Sequence, residues 1–334
     1  MKKNIVIILA LLCSFLPTCT HAAEMAYSVH ADIPENQVDK SLTYFDLQTS
    51  PGETQSISVD IINSSDKNQT FQVDLNNAYT NVNGVIDYSN NKVKKEVPKS
   101  VQMSDLVKER KQEVTLPPHE TKTVTFTANM PKEILTGTVL GGIKVAQKNE
   151  PKNDSDSKMT IDNHYAYIIG VKLRESLTDV EPKMSLLDVK PGLANHHTAI
   201  TATLQNSSPT ILKQMSLNAT IKKEGSDEAI TTLKKENVGF APSTNMDLAI
   251  PLNDKEVKPG KYVATISIKT SDGKHKWNLT KEFSVSDTKA KDVNKKAVSV
   301  KKESQHSYFT VTTLSILILV LIIIVLLYKL RRKK

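Results

Sequence analysis

One ten-residue stretch, Tyr79-Thr80-Asn81-Val82-Asn83-Gly84-Val85-Ile86-Asp87-Tyr88, concentrates the groups best suited to hold a polar ligand. Asn81 and Asn83 can donate to and accept from sugar hydroxyls or peptide amides, and Gly84 lets another backbone come close. Tyr79 and Tyr88 offer ring faces for stacking. The same residues also read as a hairpin, with Asn83-Gly84 at its corner and the tyrosines packed as strand residues. Gly141-Gly142 has a similar double reading: a surface that a ligand approaches closely, or a bulge in a strand, the bulge being preferred. The candidate ligand-binding residues are therefore Tyr79, Asn81, Asn83, Gly84, Tyr88, Gly141 and Gly142.

Catalytic and metal chemistry find less support. His196-His197 is the only adjacent histidine pair, and neighbours on a strand point to opposite faces, so an exposed turn is expected there. Asp154-Ser155-Asp156 begins like a calcium loop. Met159 then stands at the glycine position and Tyr165 where a bidentate glutamate is needed. The sequence contains no nucleophile elbow, zinc-protease helix motif, phosphate loop or dinucleotide fingerprint. No catalytic residue, metal or cofactor is expected, and the protein is read as a non-enzyme.

The elements that carry these residues alternate with period two. Ile57, Val59 and Ile61 share one face, as do Phe71, Val73 and Leu75, and Val124 and Phe126 among threonines. Tyr165, Tyr167, Ile169, Val171 and Leu173 make the longest stripe of the first half. In the second half the stripes are Ile200-Ala202-Leu204, Met215 to Ile221, Met246-Leu248-Ile250, Tyr262 to Ile268, and Trp277 with Leu279. Short half-buried strands between Asn, Ser, Pro and Gly turns predict an all-β protein of two Ig-like antiparallel β-sandwiches in tandem. One short helix is expected around Ser104 to Arg110, and Trp277 is expected in the second core. A weak internal echo supports two domains: Pro51-Gly52, a strand and Asn63-Ser64-Ser65, against Pro191-Gly192, a strand and Asn206-Ser207-Ser208.

The ends bound the location. Lys2 and Lys3, the apolar run from Ile5 to Leu16 and small residues through Ala23 predict a signal peptide over 1–22. The segment 308–328 carries no charge and as a helix reaches roughly 31 Å, about the thickness of a hydrocarbon core. The basic tail 329–334 orients it with the C-terminus inside, and Tyr308 and Tyr328 suit the two interfaces. Net charge is +8, but seven of the 44 basic residues lie in these ends, leaving 37 against 36 acids outside them. That balance excludes a nucleic-acid-binding surface as the meaning of the basic pI. Cys13 and Cys19 both fall inside the signal, so the exported part must be held by packing alone. The Thr18 before Cys19 argues against a lipoprotein cleavage box. After Val285 the lysine-rich run lacks an apolar period and predicts a flexible stalk over 287–307.

At this point the order of motifs becomes specific. Tyr44-Phe45-Asp46-Leu47, Pro51-Gly52, a strand ending at Asn63 and the Tyr79 to Tyr88 stretch come first. Ser104-Asp105-Leu106-Val107, Val114-Thr115-Leu116-Pro117-Pro118, Met130-Pro131 and Leu140-Gly141-Gly142-Ile143 follow. In that order they resemble the first domain of the WxL-interacting proteins of Gram-positive bacteria. Tyr165-Ala166-Tyr167-Ile168-Ile169-Gly170-Val171, Leu204-Gln205-Asn206 and Pro259-Gly260-Lys261-Tyr262 resemble that family's second domain.

The resemblance implies peptidoglycan binding by a domain at 27–150 and binding of host proteins by a domain at 160–286. It also implies partnership with WxL-domain surface proteins and contact with host extracellular-matrix proteins. The expected location is the cell membrane, single-pass, with the N-terminal region outside in the wall, a cytoplasmic tail, and a role in adhesion. Packing favours a boundary near Glu181-Pro182, because Val139 to Ala146 can pair with a strand at 161–174 and complete the first sheet. The rival reading is an extracytoplasmic assembly chaperone that holds client strands on an exposed sheet edge. A wall-remodelling enzyme is the third.

Overall fold

The computed structural model describes residues 26–90, 96–148 and 165–298. The expected signal segment 1–22, the Asp154-Ser155-Asp156 stretch, the apolar segment 308–328 and the tail 329–334 lie outside the described residues. Among the described residues no helix is long and apolar enough to cross a membrane.

The alternating stripes become strands whose apolar face is closed off from water. In the first half, β1 (Tyr27–Asp32), β3 (Thr54–Asn63) and β8 (Thr121–Asn129) form one sheet, in the order β1-β3-β8. The second sheet holds β2 (Phe45–Gln48), β4 (Gln69–Asn77), β7 (Lys111–Leu116), β9 (Val139–Gln147) and β10 (Ala166–Arg174), in the order β2-β10-β9-β4-β7. Phe45, Ile57, Val59, Ile61, Phe71, Val73, Leu75 and Phe126 are buried in one cluster between them. β10 pairs antiparallel with β9 and parallel with β2, so both of these strands, Val139–Gln147 and Ala166–Arg174, lie in the first sandwich. Tyr27 ties the sheets together. Its hydroxyl lies 3.2 Å from Val145 O and 3.1 Å from Tyr165 O, and its ring packs on Phe71 and Tyr167.

In the second half, β11 (Met184–Ala194), β12 (His197–Asn206) and β15 (Thr244–Pro251) pack on β13 (Leu212–Lys223), β14 (Ala229–Phe240), β16 (Gly260–Lys269) and β17 (Lys276–Val285). The orders are β11-β12-β15 and β14-β13-β16-β17. Leu204, Met215, Leu217, Phe240, Leu248, Ile250, Ile266 and Ile268 fill this second core. The sequence echo has a physical basis. Asn63 and Asn206 are both fully buried at strand ends, and each donates its side-chain amide to the carbonyl four residues on, at 2.8 Å. Each also reaches a carbonyl of a sequence-distant segment, Leu116 and Ala241 respectively. Each thus braces its loop in the same manner, with Asn63 also reaching Pro117 O at 2.8 Å.

Several expectations are corrected. The register through Gly141 and Gly142 runs unbroken on both sides of β9, so there is no bulge. The short helix α1 is Met103–Leu106. Gln102 caps it, its N–H donating to the Asp105 carboxylate at 2.9 Å, and Ser104 lies inside it. Trp277 is half-buried on the edge strand β17, opposite Ile268 and stacked on His275, at the margin of the core. The flexible stalk does not begin at 287. Asp287–Lys296 is a helix, α2, capped by Ser286, with Ala290 and Val293 buried in the second core. Asn294 fixes it by holding both the N–H and the C=O of Val257 at 2.9 Å. Residues 299–307 of the expected stalk lie outside the described residues.

Candidate functional site

The Tyr79 to Tyr88 stretch folds as a two-stranded hairpin, β5 (Tyr79–Thr80) with β6 (Ile86–Asp87). Its turn is set locally. The Asn81 side-chain oxygen accepts the N–H groups of Asn83 at 3.0 Å and Val85 at 3.1 Å, and Gly84 takes φ +75°. Asp87 accepts the Ser89 N–H at 2.8 Å. Burial works against the charge of Asp87, but hydrogen bonds from Ser89, Tyr79 and Asn81 outweigh it and hold the carboxyl below its ordinary value. Burial raises the Tyr79 phenol, with the Ser89 hydroxyl opposing.

What the sequence leaves unsaid is where this hairpin sits: it is the bracket between the two sandwiches. Gly84 O accepts the Gly239 N–H at 2.7 Å, and the Thr80 hydroxyl accepts the Ala241 N–H at 3.0 Å. Thr80 also meets the Thr244 hydroxyl at 2.8 Å, with both side chains buried. A Cβ on Gly84 would lie 2.9 Å from Val238 Cγ1, so this glycine admits the second domain and not an open ligand. Asn83 is exposed, and its carbonyl accepts from Lys235 Nζ at 3.2 Å. A second bracket lies nearby, where Thr138 N–H donates to Pro209 O at 2.8 Å beside Gly137. Gly141 and Gly142 are filled from within the first domain. A Cβ on Gly141 would stand 2.6 Å from Asn76 O and 3.0 Å from Met103, and one on Gly142 would stand 2.7 Å from the Tyr88 ring. The structure therefore divides the candidates: Tyr88 packs on Gly142 within the first domain, Gly84 meets the second domain, and Tyr79 and Asn81 share a cleft.

Two openings flank the hairpin. Tyr79, Thr80, Asn81 and Val82 line a polar cleft of about 490 Å³ with Glu96 and the second-domain residues Thr203, Asn245 and Asp247. Tyr88 and Ile86 line a larger groove of about 660 Å³ with Tyr44, Ile168 and Gly170. A third cavity of about 420 Å³ belongs to the second sandwich, among Ile221, Ile230, Leu252, Val257, Tyr262 and Val285. His196 and Asn195 take positive φ in the exposed turn between β11 and β12, and His197 Nδ1 meets Asp254 at 2.6 Å. Sequence reasoning missed Glu96, Thr203, Asn245 and Asp247. Nothing local marks them, because their relevance arises only when strands of two domains face one cleft.

Glu96 gives the docked arrangement a pH dependence. Burial raises its carboxyl above the ordinary 4.5, the Asn245 N–H opposes this, and Asp247 adds repulsion. A carboxyl with a raised pKa in the docked form favours docking below its free value, and that contribution is lost as pH rises through the raised value. Small-angle scattering should therefore show a more compact protein near pH 4 than near pH 7. Glu96→Gln, which keeps an acceptor for Asn245 without a charge, should hold the compact form at both.

The molecule is two all-β modules braced together, with a polar and an apolar opening flanking the bracket. Family models fit each half: a WxL-interacting protein peptidoglycan-binding domain matches residues 27–147, and a host-binding domain of the same family matches 156–295. The chain belongs to the WxL-interacting protein family. The family's second model begins ahead of β10, although β10 packs in the first sheet. No curated protein sequence matches the chain significantly. Among solved structures, one titled as a chaperone–tip adhesin complex of CFA/I fimbriae is 11% identical, with TM-score 0.32, covering 78% of this chain and 98% of that one. The E. coli chaperone DraB is 12% identical, with TM-score 0.28, covering 78% and 96%. Likeness at this level carries no functional weight.

Proposed function

We infer that this protein is a non-enzymatic adaptor of the Gram-positive cell surface, binding peptidoglycan through its first domain and protein partners through its second. The observation that carries the reading is the order of the two family domains, wall-binding then host-binding, along one chain. WxL-domain surface proteins are the partners within the envelope, and host matrix proteins are those beyond it. The uncharged segment 308–328 with its basic tail anchors the chain in the membrane, tail inside. The polar cleft is the place for a glycan strand or its stem peptide. Tyr79 offers a ring face, Asn81 and Asn245 offer amides, and Glu96 and Asp247 offer acceptors for hydroxyl and amino groups.

The full-length protein in detergent should sediment with isolated wall sacculi about tenfold more than an unrelated β-sandwich. Tyr79→Ala should lower this severalfold, as losing about 1 kcal/mol of stacking implies. Sedimentation no better than the control would overturn wall binding. Release of soluble muropeptides by the purified protein would overturn the non-enzymatic part.

A further inference from the structure

The second sheet of the first domain has an edge that is only half closed. β2 covers β10 only along Val171 to Arg174, paired with Phe45 to Gln48, because the chain before Phe45 turns away. Thr49 N–H donates to Arg174 O on that side, so strand alternation turns the backbone groups of Ala166, Ile168 and Gly170 the same way. The Gly170 C=O takes the first rung of the β2 pairing, from Phe45, and among the described residues no strand meets the backbone of Ala166 and Ile168 or the Gly170 N–H on that side. Opposite runs a second unpaired edge. Among the described residues β1 bonds to β3 alone, and Ser64 N–H donating to Ala26 O puts the even residues on the β3 side, leaving the backbone groups of Val29 and Ala31 facing outward.

The groove of about 660 Å³ lies along both edges. Val29 and Ala31 of β1 and Ile168 and Gly170 of β10 line it, together with Tyr44 and Ile211 of the second domain. Ile168 and Tyr44 are 42% and 38% exposed, large apolar side chains left open where β10 lacks a neighbour. The charges around it have one sign. Lys172 and Lys213 line the groove, and among the described residues no carboxylate does. Lys172 shares Asp46 with Arg174, so that cluster keeps an excess positive charge, and Lys213 is exposed.

We propose that this groove is a strand-accepting site, which takes one extended segment of a partner protein, apolar at alternate positions and acidic at its flank, as an added strand on β10. Backbone bonds to Ile168 and to the Gly170 N–H give the register. Alternate side chains enter the apolar groove, and carboxylates meet Lys172 and Lys213. The five residues from Ala166 to Gly170 offer roughly 17 Å of edge, enough for about five partner residues. The site is separate from wall binding, so sacculus sedimentation and strand capture can fail independently.

The test is selection of displayed random twelve-residue peptides on the full-length protein, followed by amide hydrogen exchange with the selected peptides. The expected result is enrichment of sequences with apolar residues at i, i+2 and i+4 beside Asp or Glu, and peptide-dependent protection of the Ile168 and Gly170 amides. Ile168→Asp and Lys213→Glu, both exposed positions outside the cores, should each weaken binding at least tenfold. Failure to enrich any peptide, or equal binding to both variants, would overturn the proposal. So would protection of the two amides without peptide: if it grows with protein concentration, a second copy holds the edge, and if it does not, the chain's own segment does.

Discussion

Gly137→Ala is expected to part the two sandwiches while leaving each one folded. Gly137 has φ +79°, and a Cβ there would stand 2.3 Å from Pro209 O and 2.7 Å from Pro209 Cγ. Backbone oxygen cannot give way as a flexible side chain can, so relief requires Pro209 to move, and Thr138 N–H loses its acceptor with it. Left-handed strain alone costs about 1–2 kcal/mol for a residue with a Cβ. With the clash added, the docking equilibrium should shift roughly thirtyfold, a large part of the free energy of a modest inter-domain contact. Scattering should report a larger radius of gyration, and limited proteolysis should cut faster in the linker between Arg174 and Met184. Gly225→Ala supplies the control, since it has φ +72° with nothing within 4 Å of the added Cβ, and so carries the strain without the undocking. If the two variants scatter alike, the brackets at Gly137 and Gly84 do not hold the domains together.

The second large effect concerns the first sheet. Asp46 lies on β2 with its carboxylate 2.8 Å from Arg174 Nη2 and 3.3 Å from Lys172 Nζ, its side chain 10% exposed. Removing one partner of a buried ion cluster leaves the others desolvated and uncompensated, so Asp46→Ala should cost about 3 kcal/mol in urea unfolding of the full chain. The loss should be local in character, loosening β2 from β10 because their four-residue parallel pairing is short. That loosening would lengthen the free edge of β10, so strand capture should survive or broaden even as stability falls. The cluster is imperfect: Asp46 Oδ1 and Arg174 Nε find no partner among the described residues. A cost below about 1 kcal/mol would mean that solvent already screens the cluster.

Much of the architecture is legible from local pattern. A strand's period of two assigns each side chain to a face, so Ile57-Val59-Ile61 and Phe71-Val73-Leu75 identify their own buried sides. The family resemblance is legible too, because it rests on an order of motifs along the chain. The helix α2 escaped because Ala290 and Val293 are its only buried residues, too few to show a helical period in a lysine-rich run. Its marks were the Ser286 cap and the spaced pairs Asp287–Lys291 and Asp292–Lys296. Trp277 shows the converse: the sequence reports its apolar bulk, but not that its strand lies at an edge.

The sequence by itself determined the all-β class, the buried face of the strands with clear alternation, and the family. The tertiary structure alone decided the use of the candidate residues: Gly84 against Val238, Gly142 beneath Tyr88, Tyr79 and Tyr88 in different openings. The reason is range. Periodicity records how a residue faces its own strand's surroundings, whereas a bracket or a cleft joins segments far apart in the chain, such as Thr80 and Thr244, 164 residues apart. No local pattern carries that pairing, and only the packed chain brings the two together.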